Sequence, residues 1–404
     1  MTMLASLLAE YELIRQATMA LTEPLSDEDC CVQSMPDASP AKWHLAHTSW
    51  FFETFVLERF ELNFKPHHPA FRVLFNSYYN GIGNQHPRPR RGLITRPTLA
   101  EVEDYRSNVD ARMEALILIA AALSPPRVTE LVQLVTLGLQ HEQQHQELLQ
   151  TDILHLFSCN PMQPAYAEGA VRPLARVLPL EWRQHPGGVV EIGHGGDGFC
   201  FDNELPRHRQ FVEPFALASR LVTNGEYLAF IEAGAYRDPA LWLSEGWDWL
   251  QSQQHQHQQP LYWRQIDGQW QEFTLHGPQP LDLQRAATHL SYFEADAYAR
   301  WAGARLPSEA EWESAAASQS DAEPLLQLFN TAWQWTSSSY APYPGFRASA
   351  GAIGEYNGKF MVNQYVLRGA SCATPADHSR PSYRNFFPTG ARWQFTGIRL
   401  ARCW

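Results

Sequence analysis

The chain has no CxxC pair, no long apolar run and no surplus of positive charge. Its six cysteines (Cys30, Cys31, Cys159, Cys200, Cys372 and Cys403) are scattered, which excludes a zinc ribbon or a thioredoxin-type redox motif built on paired cysteines. No window approaches the roughly 18 consecutive apolar residues of a membrane span. The first twenty residues carry no basic start followed by an apolar stretch. A secretory signal is therefore not expected, and reduced thiols in the cytoplasm are. Lys and Arg number 31 against 43 Asp and Glu, a net charge of −12. That balance argues against general nucleic-acid binding and against attraction to an anionic membrane. No repeat at a fixed period is present.

What is present describes a well-packed protein: 404 residues, 45% hydrophobic, with fourteen tryptophans. The length exceeds a usual single core, so two domains are expected, 1–162 and 163–404. The first reads as a bundle of four helices at roughly 3–20, 40–63, 98–123 and 126–158. Leu4, Leu7, Leu8, Tyr11 and Leu13 suggest the buried side of the first helix. Ser39 is read as the N-cap of the second, with Pro40 at its first position. Between the second and third helices lies a connection rich in proline, glycine and arginine, Lys65 to Pro97, of a length that is usually functional or disordered. Beyond Asn160 the pattern changes to short strands, such as Val189 to Ile192, between turns. Helices near 223–233 and 291–302 interrupt it. The Gln/His-rich run 252–259 reads as an exposed polar loop.

The most informative stretch is His141-Glu142-Gln143-Gln144-His145-Gln146-Glu147. Two histidines four apart lie on one face of a helix, one turn from each other, and can share an ion. The surrounding apolar positions Leu131, Val132, Val135, Leu139, Leu149 and Ile153 make that helix long and amphipathic. Taken alone the pair could equally be solvated or packed in the core; a third ligand would make it a transition-metal site. The second helix offers His44 and His47 within the aromatic run Trp43 to Phe52. Its aromatic density implies deep packing and buried, neutral imidazoles. Geometry alone leaves open which of the two faces the pair.

Four phrases in the second part resemble the formylglycine-generating-enzyme or sulfatase-modifying-factor family, a C-type-lectin-like α+β fold. They are Phe201-Asp202-Asn203-Glu204 with Pro206-Arg207-His208, Val222 to Tyr227, Gly303 to Glu313, and Arg368 to Cys372. The paired copper-binding cysteines of that family are not evident, so its own reaction is not implied. Cys372 reads as a small core residue. A DinB-like helical bundle carrying HxxxHxE, joined to such a domain, resembles the sulfoxide synthases of ergothioneine biosynthesis, the EgtB family. Lys42 to His47, Phe75 to Tyr79, His86 to Arg91, Tyr340 to Phe346 and Tyr383 to Pro388 are similar to its cysteine-using branch.

The resemblance implies a non-haem iron(II) enzyme that joins hercynine to cysteine with O2, forming a C–S bond and a sulfoxide. It selects His47, with His141 and His145, as the ligands of Fe(II); zinc would also accept three histidines. Tyr78 or Tyr79 would be the proton donor, a neutral phenol being a donor that does not compete as a ligand. Arg88 and Arg91 would grip the carboxylate of free cysteine, and Gln144 that of hercynine. Asn385 and Phe386 would face the trimethylammonium group. Phe387 stands where the γ-glutamylcysteine-using branch has an acidic residue, and Glu147 would support a ligand histidine. Two alternatives stay open: a selenoneine synthase taking a selenosugar, and a DinB-type thiol- or metal-binding protein without catalysis.

Overall fold

The computed structural model describes residues 3–171, 179–253, 258–319 and 324–404. Two compact units emerge: Met1–Ala167 with Ala350–Tyr356, and Glu168–Ser349 with Asn357–Trp404. The short segment Ala350–Tyr356 thus belongs with the helical unit although it lies far down the chain. Residues 254–257 of the Gln/His-rich run lie outside the described residues. No described helix is long and apolar enough to cross a membrane.

The first unit rests on four long helices: α1 (Met3–Ala20), α2 (Ala41–Phe52), α3 (Leu99–Ile119) and α4 (Pro125–Ser158). α3 opens on a reciprocal cap in which Thr98 and Glu101 satisfy each other's backbone amides. α4 starts with proline, whose missing N–H costs nothing in a first turn. Its Leu131, Val135, Leu139, Leu149 and Ile153 are buried as expected, while Val132 is half-buried. On α1 the buried side is Leu7, Tyr11, Ile14, Arg15 and Thr18. Leu13 is 67% exposed; two residues from Tyr11, it falls on the opposite side of the helix.

α2 begins one residue later than the sequence suggests, with Pro40 rather than Ser39 at the capping position. The Ser39 amide donates instead to Asp152 Oδ2 on α4, at 2.8 Å. All twelve residues of α2 are buried, and the helix continues through a π-helical turn, Glu53–Leu57, to Phe60. Gly138 lets α4 approach it closely: a Cβ there would lie 2.5 Å from Phe52 Cε1. That contact sits one turn before His141, so the missing side chain helps bring the histidines of the two helices together.

The second unit combines small sheets with helices. Its strands are β1 (Trp182–His185), β2 (Gly188–Ile192), β3 (His208–Val212), β4 (Phe215–Ala218), β5 (Trp263–Ile266), β6 (Gln269–Thr274), β7 (Gly277–Pro280), β8 (Ala332–Ser339), β9 (Tyr365–Ala370), β10 (Asn385–Phe387), β11 (Thr396–Gly397) and β12 (Ala401–Cys403). They pair as β1-β4-β12, β10-β9-β8-β11, β2-β3 and β5-β6-β7. Every pairing is antiparallel except β8 with β11.

The two expected helices are α5 (Asn224–Glu232) and α7 (Tyr292–Trp301). Sequence reading missed α6 (Ser244–Ser252) and α8 (Glu309–Ala317). α8 is the phrase Ser308 to Glu313 at work. Ser308 and Glu311 cap its start, and Trp312 is fully buried with its indole N–H on Gln334. Glu309 holds Arg384 through both carboxylate oxygens, at 2.9 and 3.0 Å, and Arg368 at 2.9 Å. Cys372 is exposed rather than packed in the core.

His289 and His378 are buried in this unit, and burial pushes both imidazoles down to about 3. Because their folded values lie below the unfolded value, the unfolded chain takes up protons that the folded one refuses. Their contribution is complete above pH 6.5 and is lost as pH falls towards 3, by about 1.4 kcal/mol per pH unit and ring at most. Urea titrations between pH 7.5 and 4.5 are expected to show this slope. A His289→Gln, His378→Gln variant should show a flatter one.

Candidate metal centre

His47 comes from α2, His141 and His145 from α4. One ring nitrogen from each lies within 4.8 Å of the others, and all three side chains are buried. The Nε2 atoms of His47 and His141 are 3.2 Å apart. Two imidazoles bound to one ion at a right angle, each at about 2.1 Å, have nitrogens about 3.0 Å apart, so the spacing suits a shared cation.

The opposite nitrogens explain how two of the rings are aimed. His47 Nδ1 donates to the Phe75 carbonyl at 2.6 Å, leaving Nε2 bare. His145 Nδ1 faces His44 Nδ1 at 2.8 Å, leaving its Nε2 for the cluster. His141 Nδ1 is buried with no hydrogen-bond partner among the described residues; that ring is placed by packing against Phe51, centroids 4.6 Å apart. Burial, then the His141 ring, pushes His47 and His145 well below the usual imidazole range. Burial takes His141 down to about 3. All three are neutral near pH 7, the form that binds a metal.

The connection between α2 and α3 is assembled around this cluster. After Phe75, the Asn76 amide donates to the carbonyls of Tyr79, Gly83 and Asn84 and accepts from the Tyr79 amide. Tyr79 is fully buried among Trp50, Phe51 and Phe55. Its ring stacks on the half-buried Tyr78, and the two hydroxyls are 3.5 Å apart. Burial, then Tyr78, raises the Tyr79 phenol well above 10, so it keeps its proton at any working pH.

Arg91 is buried, unlike its neighbour Arg88. It donates to Ser39 Oγ and Ser77 Oγ, and its guanidinium lies 3.4 Å over the Trp43 ring. Trp43 in turn stacks on His47 at 4.5 Å. Among the described residues Arg91 forms no ion pair. Burial and then Arg88 lower it to about 9, so it remains charged at neutral pH. Arg88 reaches the Asp37 carbonyl. Gln144 accepts from the Tyr356 hydroxyl. Asn385, Phe386 and Phe387 form β10 of the second unit, where Phe386 stacks on Tyr340 at 4.1 Å. Arg384, locked by Glu309, anchors the start of that strand.

Around the cluster, His44 was considered only as a rival to His47, and Asp152, Glu142, Glu355 and Tyr356 were missed. His44 and Asp152 stand behind His145; the only hint was that Asp152 follows it by two helical turns. Glu142, fully buried beside His141, binds Arg15 at 2.9 Å, Arg106 at 2.5 Å and the Thr18 hydroxyl at 2.7 Å. Burial alone would raise this carboxyl, but Arg106 and Arg15 hold it at about 2. Glu355 accepts from the amides of Asn80 and Gly81, while the Tyr356 ring meets His141 edge-on at 5.7 Å. Nothing local in the sequence ties residues 355 and 356 to the bundle.

Two family models match the chain: the DinB superfamily over residues 10–149, and the sulfatase-modifying factor enzyme 1-like domain over residues 184–325. The hercynine oxygenase of Mycobacterium tuberculosis is 30% identical over 437 residues, covering 96% of each chain. That of Mycolicibacterium thermoresistibile is 29% identical over 96% of this chain and 92% of its own. The formylglycine-generating enzyme of Streptomyces coelicolor is 32% identical over 32% of this chain and 45% of its own.

Glu142→Ala would leave the buried Arg106 without an ion pair among the described residues and Arg15 with Asp110 alone. A loss of about 3–5 kcal/mol is expected, measured by chemical denaturation of the metal-free protein against wild type.

Proposed function

We propose, from the premise that this chain belongs to the hercynine oxygenase family, that it is an iron(II)-dependent sulfoxide synthase joining hercynine to cysteine. The observation that carries the reading is the convergence of His47, His141 and His145. The family uses oxygen, and zinc has no redox chemistry, which favours iron among metals that three imidazoles accept. Iron(II) held there supplies electrons and vacant positions for dioxygen chemistry. The overall change balances without another reductant. One C–H and one S–H bond are lost, a C–S and an S–O bond form, and the second oxygen atom leaves as water.

The chain's own groups then have distinct tasks. Arg91, a buried cation with no acidic partner among the described residues, supports binding of an anionic carboxylate, and a guanidinium fork suits that geometry. Cysteine brings a carboxylate; a selenosugar does not. Arg88 is assigned as the second, exposed grip. Gln144 is assigned to the hercynine carboxylate, with its amide oriented by Tyr356. Asn385 and Phe386 are assigned to the trimethylammonium end, ring faces being attractive to diffuse cations, and Phe387 to the preference for a small thiol. Tyr79, protonated in the resting protein, is the proton donor we favour, with Tyr78 beside it to resupply the proton.

Anaerobic iron reconstitution, followed by mass spectrometry of products after air is admitted, tests the reading. A sulfoxide from hercynine and cysteine is expected. Product only from a selenosugar would favour the selenium reaction, and no oxygen uptake with any donor would leave a binding protein. His145→Ala is expected to lose stoichiometric iron while the second unit stays folded, as judged by metal analysis and circular dichroism. Tyr79→Phe is expected to keep substrate affinity while sulfoxide formation falls by about 10²-fold. Unchanged turnover would move the role to Tyr78.

A further inference from the structure

We propose that Asp152 and His44 form a two-step hydrogen-bond relay that positions His145 as a metal ligand. The inference rests on the metal-site reading of the three histidines and names what aims one of them. Asp152 Oδ2 lies 3.1 Å from His44 Nε2, and His44 Nδ1 lies 2.8 Å from His145 Nδ1. Asp152, His44 and His145 are all buried.

The chemistry of the end group sets the direction of every proton. An ionised carboxylate only accepts, so His44 Nε2 carries a hydrogen and donates to it. A neutral His44 then has a bare Nδ1, which accepts from His145 Nδ1–H. His145 is left with a bare Nε2, the nitrogen available to the cluster. The reverse assignment puts the hydrogen on His145 Nε2 and closes that atom to a metal. Histidine ligands are commonly backed by a carboxylate through their second nitrogen; here an additional imidazole spans the gap. The same Asp152 oxygen accepts from the Ser39 amide at 2.8 Å, so the relay shares its anchor with the contact that registers the start of α2 on α4. His44 is accordingly a positioning residue.

The test uses the full chain with Co(II) or Zn(II) as the probe. His44→Phe keeps a ring in the space but removes the acceptor. Its Co(II) affinity, by chelator competition, is expected to fall 10- to 100-fold, with a changed visible absorption envelope. In the Zn(II)-loaded wild type, proton NMR should show an exchange-protected His145 Nδ1–H resonance that disappears in the variant. A role confined to packing would lower the melting temperature of the metal-free protein and leave that resonance and the Co(II) spectrum in place, which overturns the relay. Asp152→Asn keeps the shape and an acceptor for Ser39 but loses the charge. It supplies the same comparison if His44→Phe does not fold, with a several-fold affinity loss expected and unchanged affinity and resonance counting against the proposal. Wild-type protein that binds neither metal would remove the metal site and the relay together. Wild-type binding matched by both variants would remove the relay alone.

Discussion

Imidazole can be buried in an apolar bundle only if it stays neutral, and a neutral ring has one donor and one acceptor to satisfy. Three such rings meet between α2 and α4, and their placement governs much of the first unit. Each inward nitrogen must be bare to serve as a ligand, so each outward nitrogen carries a hydrogen that needs somewhere to go. His47 gives its hydrogen to the Phe75 carbonyl. His145 turns to His44. His141 finds no acceptor among the described residues and is held instead by the faces of its neighbours. Two rings are thus aimed by hydrogen bonds and one by packing.

These supports join the cluster to its surroundings. The carbonyl that orients His47 belongs to the residue opening the segment 75–81. Over those seven residues the chain meets His47, the Asn76 staple, Arg91 through Ser77, the tyrosine pair and the Glu355 carboxylate. A shift of that segment therefore moves a ligand's partner and the proposed donor together. On the other side of His47, Trp43 separates the imidazole from the Arg91 guanidinium in a stack of three planar groups. No carboxylate among the described residues pairs with that cation, and the indole face supplies part of the compensating attraction.

The bundle was readable because its helices are long and their apolar positions periodic; α3 and α4 start within one residue of the expected 98 and 126. The pairing of His141 with His145 was legible from their four-residue spacing, and the choice of His47 over His44 came only from family resemblance. Geometry now gives the reason: the two lie on slightly different bearings of α2, so one meets the cluster and the other backs it. Residues such as Glu142, Asp152 and Glu355 were not legible as supports, since their roles depend on pairing between distant segments. Arg15 and Arg106 are 127 and 36 residues from Glu142. Cys372 was misread because small size was taken for burial. The helix α8 was seen as a phrase before it was seen as a helix, its apolar positions being mixed with three glutamates that are buried through caps and ion pairs.

Charge supplies a last constraint on what the centre will accept. The two buried carboxylates beside the three histidines are already committed: Glu142 to Arg15 and Arg106, Asp152 to His44 and the Ser39 amide. Three neutral imidazoles leave the charge of a divalent ion uncompensated, and Arg91 adds another positive charge a stacked ring away. In a region of low dielectric such an excess is costly until anions arrive. A substrate carrying both a thiolate and a carboxylate offers one anion for the ion and one for the guanidinium. On the proposed reading, a preference for an amino-acid thiol would follow from the uncompensated charge itself, before any contact with the rest of the substrate is considered.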